Sequence, residues 1–173
     1  MDNLTLRLGM VIQRIAVLGA GQMGNGIAQV AACAGYDVVM IDIKQEYLDK
    51  GLAAIENSLS RVVKKERMTQ QEADTALAHI SISTEKTAAH DADLVVEAIP
   101  EIPDLKFSTF AELDTICKPE SILASNTSSI SINAIADATN RPDRVIGMHF
   151  MNPVPVMKLV EIINGRETSS EVT

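Results

Sequence analysis

The chain contains no tryptophan and only three phenylalanines and two tyrosines, so whatever core it builds must be aliphatic, from its Ala, Ile and Val. Its two cysteines, Cys33 and Cys117, are far apart and lack metal-ligand spacing. That excludes a disulfide framework and a cysteine-built metal centre, and reads both as small buried residues in a reducing compartment. Basic residues are in deficit, 15 against 23 acidic, for a net charge of -8. A nucleic acid partner is thereby excluded, because phosphate binding needs a basic face. No apolar run reaches the ~20 residues that cross a bilayer, so no membrane partner is expected. Internal repeats and low-complexity stretches are missing as well. The 173 residues suffice for one domain with a substantial core. Residues 1–12 lack the pattern of a targeting segment, with one Arg and one Asp around a short apolar run. They are read as an N-terminal extension, with Met10 as an alternative start, to a domain over residues 13–173 of a cytoplasmic protein. The polar residues 166–173 are expected to fray.

What the chain does have is alternation. Short β-branched runs predict strands at 15–18, 38–41, 80–83, 94–99, 122–124, 145–149 and 158–163. Segments of helical period lie between them at 24–34, 45–67, 105–116 and 132–138, with Gly35 closing the first. Thr69 followed by Glu72 predicts a capping box for one more short helix. This order implies an α/β fold, a doubly wound and mostly parallel sheet covered on both faces. Ligands of such sheets bind at the carboxyl ends of the strands. Gly19, Asp42, Glu101, Ser128 and His149 all fall at or just after predicted strand ends.

Gly19-Ala20-Gly21-Gln22-Met23-Gly24 links the first strand to the first helix. The first glycine permits a tight turn, the second lets a pyrophosphate approach the backbone, and the third lets helix pack on strand. The helix N-terminus offers free N–H groups to the phosphates. Asp42 closes the second strand about 20 residues on, where a carboxylate accepts from both ribose hydroxyls and repels a 2′-phosphate. The fold is therefore read as Rossmann-like and the cofactor as NAD rather than NADP, with Lys44 weakening that preference and FAD as the competing dinucleotide.

Further along, Ala-Ser-Asn-Thr-Ser-Ser (124–129) and Met-His-Phe-Met-Asn-Pro-Val-Pro-Val-Met-Lys-Leu-Val-Glu (148–161) supply a hydroxyl, Ser128, an imidazole, His149, an amide, Asn152, and a carboxylate, Glu161. A histidine is the natural base for an alcohol near neutral pH, and a carboxylate on its other nitrogen would orient it. Each residue has a plainer alternative: a buried strand histidine, a surface charge, a helix cap and a turn former. His79 and His90 show no partner pattern and are assigned to solvent.

These motifs, with Asp-Leu-Val-Val-Glu-Ala (93–98) and Arg-Pro-Asp-Arg-Val-Ile-Gly-Met-His-Phe (141–150), resemble the NAD-binding domain of the L-3-hydroxyacyl-CoA dehydrogenase family, nearest to its bacterial 3-hydroxybutyryl-CoA members. The resemblance implies an NAD-dependent oxidation of short-chain (3S)-3-hydroxyacyl-CoA to the 3-ketoacyl-CoA, in fatty acid and butanoate metabolism. It implies that His149 takes the hydroxyl proton, that Glu161 pairs with it, and that Ser128 and Asn152 hold the reacting oxygen and the nicotinamide edge. By the same likeness Glu101 and Lys106 line the cofactor cleft, and Ser58 and Lys65, seven apart on one helical face, touch coenzyme A. Met151 departs from the family's usual Phe, a change of pocket wall. Family members continue for roughly another hundred residues, a helical domain of ordinary size. That domain covers the substrate and makes the homodimer; it is expected to be absent here, leaving the NAD-binding half of the enzyme, with two alternatives: a module that binds NAD and turns over little alone, or a related dehydrogenase of a free hydroxy or sugar acid.

Overall fold

The computed structural model describes residues 11–173. The reading of residues 1–9 as a removable extension lies outside the described residues; just beyond them, Val11 is exposed while Ile12 packs against the core.

Among the described residues, seven strands form one sheet: β1 (Arg14–Leu18), β2 (Asp37–Ile41), β3 (Ile80–Ser83), β4 (Leu94–Glu97), β5 (Ile122–Ser125), β6 (Val145–Phe150) and β7 (Val160–Asn164). Their order is β3-β2-β1-β4-β5-β6-β7, with every pair parallel except β6–β7. The order reverses between β1 and β4, the place where such sheets open a crevice at their carboxyl ends. Five α-helices of the described residues cover the faces: α1 (Gln22–Cys33), α2 (Gln45–Lys64), α3 (Gln70–Ala78), α4 (Pro103–Ile116) and α5 (Ile132–Ala136).

Alternation along each strand divides the core in two. Ile15 and Val17 point to one side, with Ile27, Leu48, Ile55 and Leu59 from α1 and α2. Ala16 and Leu18 point to the other, with Phe110 and Leu113 of α4 and Ile135 of α5. A sheet buried on both faces explains why these strands read as continuous apolar runs.

Several boundaries differ from the sequence expectation. The strand expected over 94–99 ends at Glu97, because the Ile99 N–H turns back to donate to Glu97 Oε1 at 2.8 Å. The helix expected to reach residue 67 stops at Lys64, and Glu66 takes a left-handed φ of 55°. The run Lys64-Lys65-Glu66-Arg67 offers nothing to bury, whereas Met68 packs back on the core. Thr69 and Glu72 do form the expected capping box of α3. Cys33 is exposed at the end of α1, not buried; Cys117 is buried, and burial pushes its thiol up to about 11. His79 is not free in solvent: its Nδ1 lies 2.7 Å from Asp37 Oδ1. Residues 166–173 are tied down, with the Thr168 hydroxyl donating to Val145 O and Ser169 N–H to Asp143 O.

One polar staple joins α4 to the loop before β6. Arg141 Nε meets Asp114 Oδ1 at 2.6 Å, and its other nitrogens donate to the carbonyls of Lys118, Asp114 and Cys117. It thus satisfies carbonyls left open where α4 ends. Burial pushes the Asp114 carboxyl up, but bonds from Asn140 and Arg141 outweigh it and hold the group below the usual range. Arg141→Ala leaves a nearly buried carboxylate without its cation, an expected loss of about 3 kcal/mol in urea unfolding. A loss below about 1 kcal/mol would show the staple to be no stronger than a surface pair.

Candidate functional site

The glycine turn sits where the sheet order reverses. Gly19 has φ +96°, its N–H donates to Ile41 O at 2.7 Å, and a Cβ there would lie 2.6 Å from Ala98 O. Only glycine fits between the ends of β1, β2 and β4. A Cβ on Gly24 would overlap Gly19 O at 1.7 Å, so the third glycine lets the first turn of α1 close on the loop. Gly21 is different: a Cβ there meets nothing within 4 Å, which leaves its backbone open to a ligand. Ala20 is buried and its N–H donates to Asp42 Oδ2 at 2.7 Å, while Asp42 Oδ1 accepts from the Ile43 N–H. Asp42 therefore ties the loop to the end of β2 and keeps lone pairs on both oxygens for hydroxyl donors. Lys44, the residue that weakened the NAD preference, lies with its ammonium 5.4 Å from the Tyr47 ring centre, a cation–π distance. Met23 packs its side chain toward the core, leaving only its backbone for the turn, and Gln22 is exposed.

Next to this turn stands a line of three side chains. His149 Nδ1 is 2.8 Å from Glu161 Oε2, and His149 Nε2 is 3.0 Å from Ser128 Oγ. The first distance follows from the one antiparallel pairing: β7 returns along β6 with Glu161 directly opposite His149, so both side chains leave the same face. An ionised carboxylate only accepts, so Nδ1 carries the proton toward Glu161. Nε2 of the neutral ring is then an acceptor, and the Ser128 hydroxyl donates to it. The ring is three-quarters covered, at 23 % side-chain exposure, which holds it while leaving Nε2 reachable. Asn152 joins the two halves, its Oδ1 accepting from Gln22 Nε2 at 3.1 Å. Gly26 permits this approach, because any Cβ there would strike Val154 at 2.8 Å in the loop that follows Asn152.

Beside Ser128 lies an ionic network in which Lys106 and Glu97 are buried and Glu101 is exposed. Lys106 Nζ is 2.5 Å from Glu97 Oε1 and 3.2 Å from Glu101 Oε2. Glu101 Oε1 accepts from the Thr127 and Ser129 hydroxyls and from the Ser128 and Ser129 N–H groups. Glu97 Oε2 accepts from the Ser125 hydroxyl at 2.6 Å. Burial pushes the Glu101 carboxyl up, but Thr127, Lys106 and the Ser128 N–H outweigh it and hold the group at about 2. Asn126 closes the arrangement by accepting the Phe150 N–H on its Oδ1 at 2.8 Å, pinning the turn to the strand that carries His149.

The family profile described as "3-hydroxyacyl-CoA dehydrogenase, NAD binding domain" matches residues 14–173. The chain belongs to that family. It is 54 % identical over 158 residues to a probable 3-hydroxybutyryl-CoA dehydrogenase of Deinococcus radiodurans, covering 91 % of this chain and 56 % of the relative. A probable 3-hydroxybutyryl-CoA dehydrogenase of Bacillus subtilis is 53 % identical, with 94 % and 56 % covered. The crystal structure of (S)-3-hydroxybutyryl-CoA dehydrogenase from Ralstonia eutropha superposes with a TM-score of 0.92 at 48 % identity, over 94 % of this chain and 57 % of that one. The chain thus spans about half the length of the relatives it matches.

As a 3-hydroxyacyl-CoA dehydrogenase NAD-binding domain, the chain takes NAD as its cofactor, which removes FAD. Its residues fit that group: an open Gly21 backbone at a helix start, with a carboxylate at the end of β2. No helix among the described residues is long and apolar enough to cross a membrane. Of the residues expected at the site, the fold brings Ser128, His149 and Glu161 into one bonded line and ties Asn152 to the glycine turn. Ser58 is half-buried on α2 and Lys65 exposed at its C-cap; neither side chain has a hydrogen-bond partner among the described residues. Sequence reasoning missed Glu97, Ser125, Asn126 and Thr127. For Glu97 there was a signal: a carboxylate inside an apolar strand must be paired when buried.

Proposed function

We propose that the chain is the NAD-binding half of an enzyme that oxidises (3S)-3-hydroxyacyl-CoA, with 3-hydroxybutyryl-CoA or a similar short-chain thioester as substrate, to the 3-ketoacyl-CoA. The observation that carries this reading is the Ser128–His149–Glu161 line beside the glycine turn. NAD, when bound, accepts the hydride from C3. His149 Nε2 removes the proton of the 3-hydroxyl, and Glu161 stabilises the imidazolium that results. Ser128 donates to the reacting oxygen or to the ring, and Asn152 orients the nicotinamide edge. The glycine turn and Asp42 hold the adenosine diphosphate half of NAD. Ser58 and Lys65 are assigned to coenzyme A, where an exposed ammonium suits a phosphate. The printed names of the relatives support the substrate class. A cytoplasmic location and a homodimer of the full-length protein belong to the same proposal. The exposed Val156, Met157, Leu159 and Ile162 before and along β7 offer an apolar seat for further chain.

A second reading has its own support. Ser128, Asn152 and Glu161 are all exposed, so the half-site does not exclude water. The 173-residue chain should therefore bind NAD and turn over little. One assay separates the readings: NAD and (S)-3-hydroxybutyryl-CoA are mixed with the chain and with the full-length protein, and reduced cofactor is followed by absorbance. Turnover by the full-length protein with only weak turnover by the chain is expected. Activity on free 3-hydroxybutyrate but not on its thioester would overturn the assignment of substrate.

A further inference from the structure

We propose that Lys44 and Tyr47 are a second determinant of cofactor choice: the Tyr47 ring holds the Lys44 ammonium away from the adenosine ribose, so that a 2′-phosphate finds no free cation beside Asp42. The inference rests on the reading of Asp42 as the ribose ligand. It gives Lys44 a part in the preference for NAD over NADP, which its charge alone would weaken.

Lys44 is the N-cap of α2, with extended backbone at φ -137° and ψ 136°, and its side chain makes no cap hydrogen bond. A good N-cap side chain accepts an N–H of the first turn, and an ammonium has no lone pair to do so. The positive end of the helix dipole opposes a cation there as well. Helix stability therefore does not account for a lysine at this place. Asp42 and Glu46 each lie two residues away, yet Lys44 forms an ion pair with neither among the described residues. Glu46 Oε1 is 3.9 Å from the Lys50 ammonium, and the Asp42 oxygens accept the N–H groups of Ala20 and Ile43. The Lys44 ammonium lies instead 5.4 Å from the centre of the Tyr47 ring. The first turn of α2 brings the two together: Tyr47 follows three residues on, and its N–H donates to Lys44 O at 3.1 Å. A free ammonium this close to Asp42 would offset the repulsion of a 2′-phosphate and bind the phosphate itself. On the ring it must first give up a cation–π contact, so Asp42 sets the preference for NAD and Tyr47 adds to it.

The test uses the full-length protein and direct titration with NAD and with NADP, which differ only in the 2′-phosphate and need no turnover to be compared. The quantity read is the ratio of NADP affinity to NAD affinity. Tyr47→Leu keeps an apolar side chain and removes the ring. It should raise the ratio about two- to fivefold, the scale of a cation–π contact at an exposed site. Tyr47→Phe keeps the face of the ring and should leave the ratio at that of the parent. The double variant Tyr47→Leu, Lys44→Met should lose the whole gain, because the cation that would meet the phosphate is gone. An unmoved ratio in Tyr47→Leu would overturn the proposal, as would a gain that survives Lys44→Met. A rise in Tyr47→Phe equal to that in Tyr47→Leu would assign the effect to the phenolic hydroxyl and overturn the part given to the ring. Asp42→Asn is titrated beside them and should raise the ratio more than any Tyr47 variant does. A ratio unmoved by Asp42→Asn would overturn the ribose reading alone, since the Tyr47 and Lys44 variants are each compared with the parent that keeps Asp42.

Discussion

His149→Gln is expected to lower kcat by roughly 10³-fold, the scale of a lost general base, while NAD affinity stays within about twofold. The two parameters separate because the His149 side chain makes its hydrogen bonds to Ser128 and Glu161 and not to the glycine turn. Its ring nitrogens are engaged by Glu161 and Ser128, and its backbone lies in the β6–β7 ladder. Glutamine keeps a polar side chain that can still donate to Glu161, so the carboxylate is not orphaned and the strand pair survives. What it lacks is a ring nitrogen whose lone pair can take up a proton. Steady-state kinetics with 3-hydroxybutyryl-CoA and a fluorescence titration of NAD check both halves in the full-length protein. A parallel loss of NAD binding would mean that the histidine is structural, holding β6 in register. A kcat within about tenfold of the parent would move the base elsewhere.

That Glu161 partners His149 was expected from the family resemblance and from the base's need of a carboxylate on its second ring nitrogen, but the residues themselves carried no register that sets the two side chains opposite each other. Period-two alternation looks the same in a parallel and an antiparallel strand, so the direction of β7 was hidden, and with it the register that places the two side chains opposite each other. The glycine turn was more legible. Its demands are backbone demands, and glycines at 19, 21 and 24 followed by Asp42 state them directly. Lys106 shows the opposite limit. The family resemblance puts it at the cofactor cleft, and only the meeting of α4 with the end of β4 puts it next to Glu97. Cys33 failed for a related reason: α1 buries Ile27, Ala28 and Ala32 and turns its last residue outward, while composition alone favours buried cysteines.

Two alanine substitutions in the same turn should fail in opposite ways. At Gly24 the new Cβ would lie 1.7 Å from Gly19 O and 2.7 Å from Gly19 C, both backbone atoms. Gly19 cannot retreat, since its N–H is bound to Ile41 O and the carbonyl of Ala98 fills the space beside it. Either α1 shifts away from the sheet or the turn opens, and both lose core contacts of Ile27 and Ala28. Gly24→Ala is therefore expected to destabilise the chain by about 3 kcal/mol or more, a fall of roughly 10 °C in melting temperature, and to abolish NAD binding with it. Gly21 carries φ -64°, which any residue adopts, and its Cβ would meet no atom. Gly21→Ala should leave the melting temperature within about 2 °C of the parent and lower NAD affinity by tenfold or more, because the methyl would stand where the pyrophosphate approaches the backbone. Thermal melts and NAD titrations of the two variants read these signatures independently. Unchanged affinity in Gly21→Ala would place the phosphates away from this turn, and an unchanged melt in Gly24→Ala would mean that the α1–β1 junction is looser than its contacts indicate.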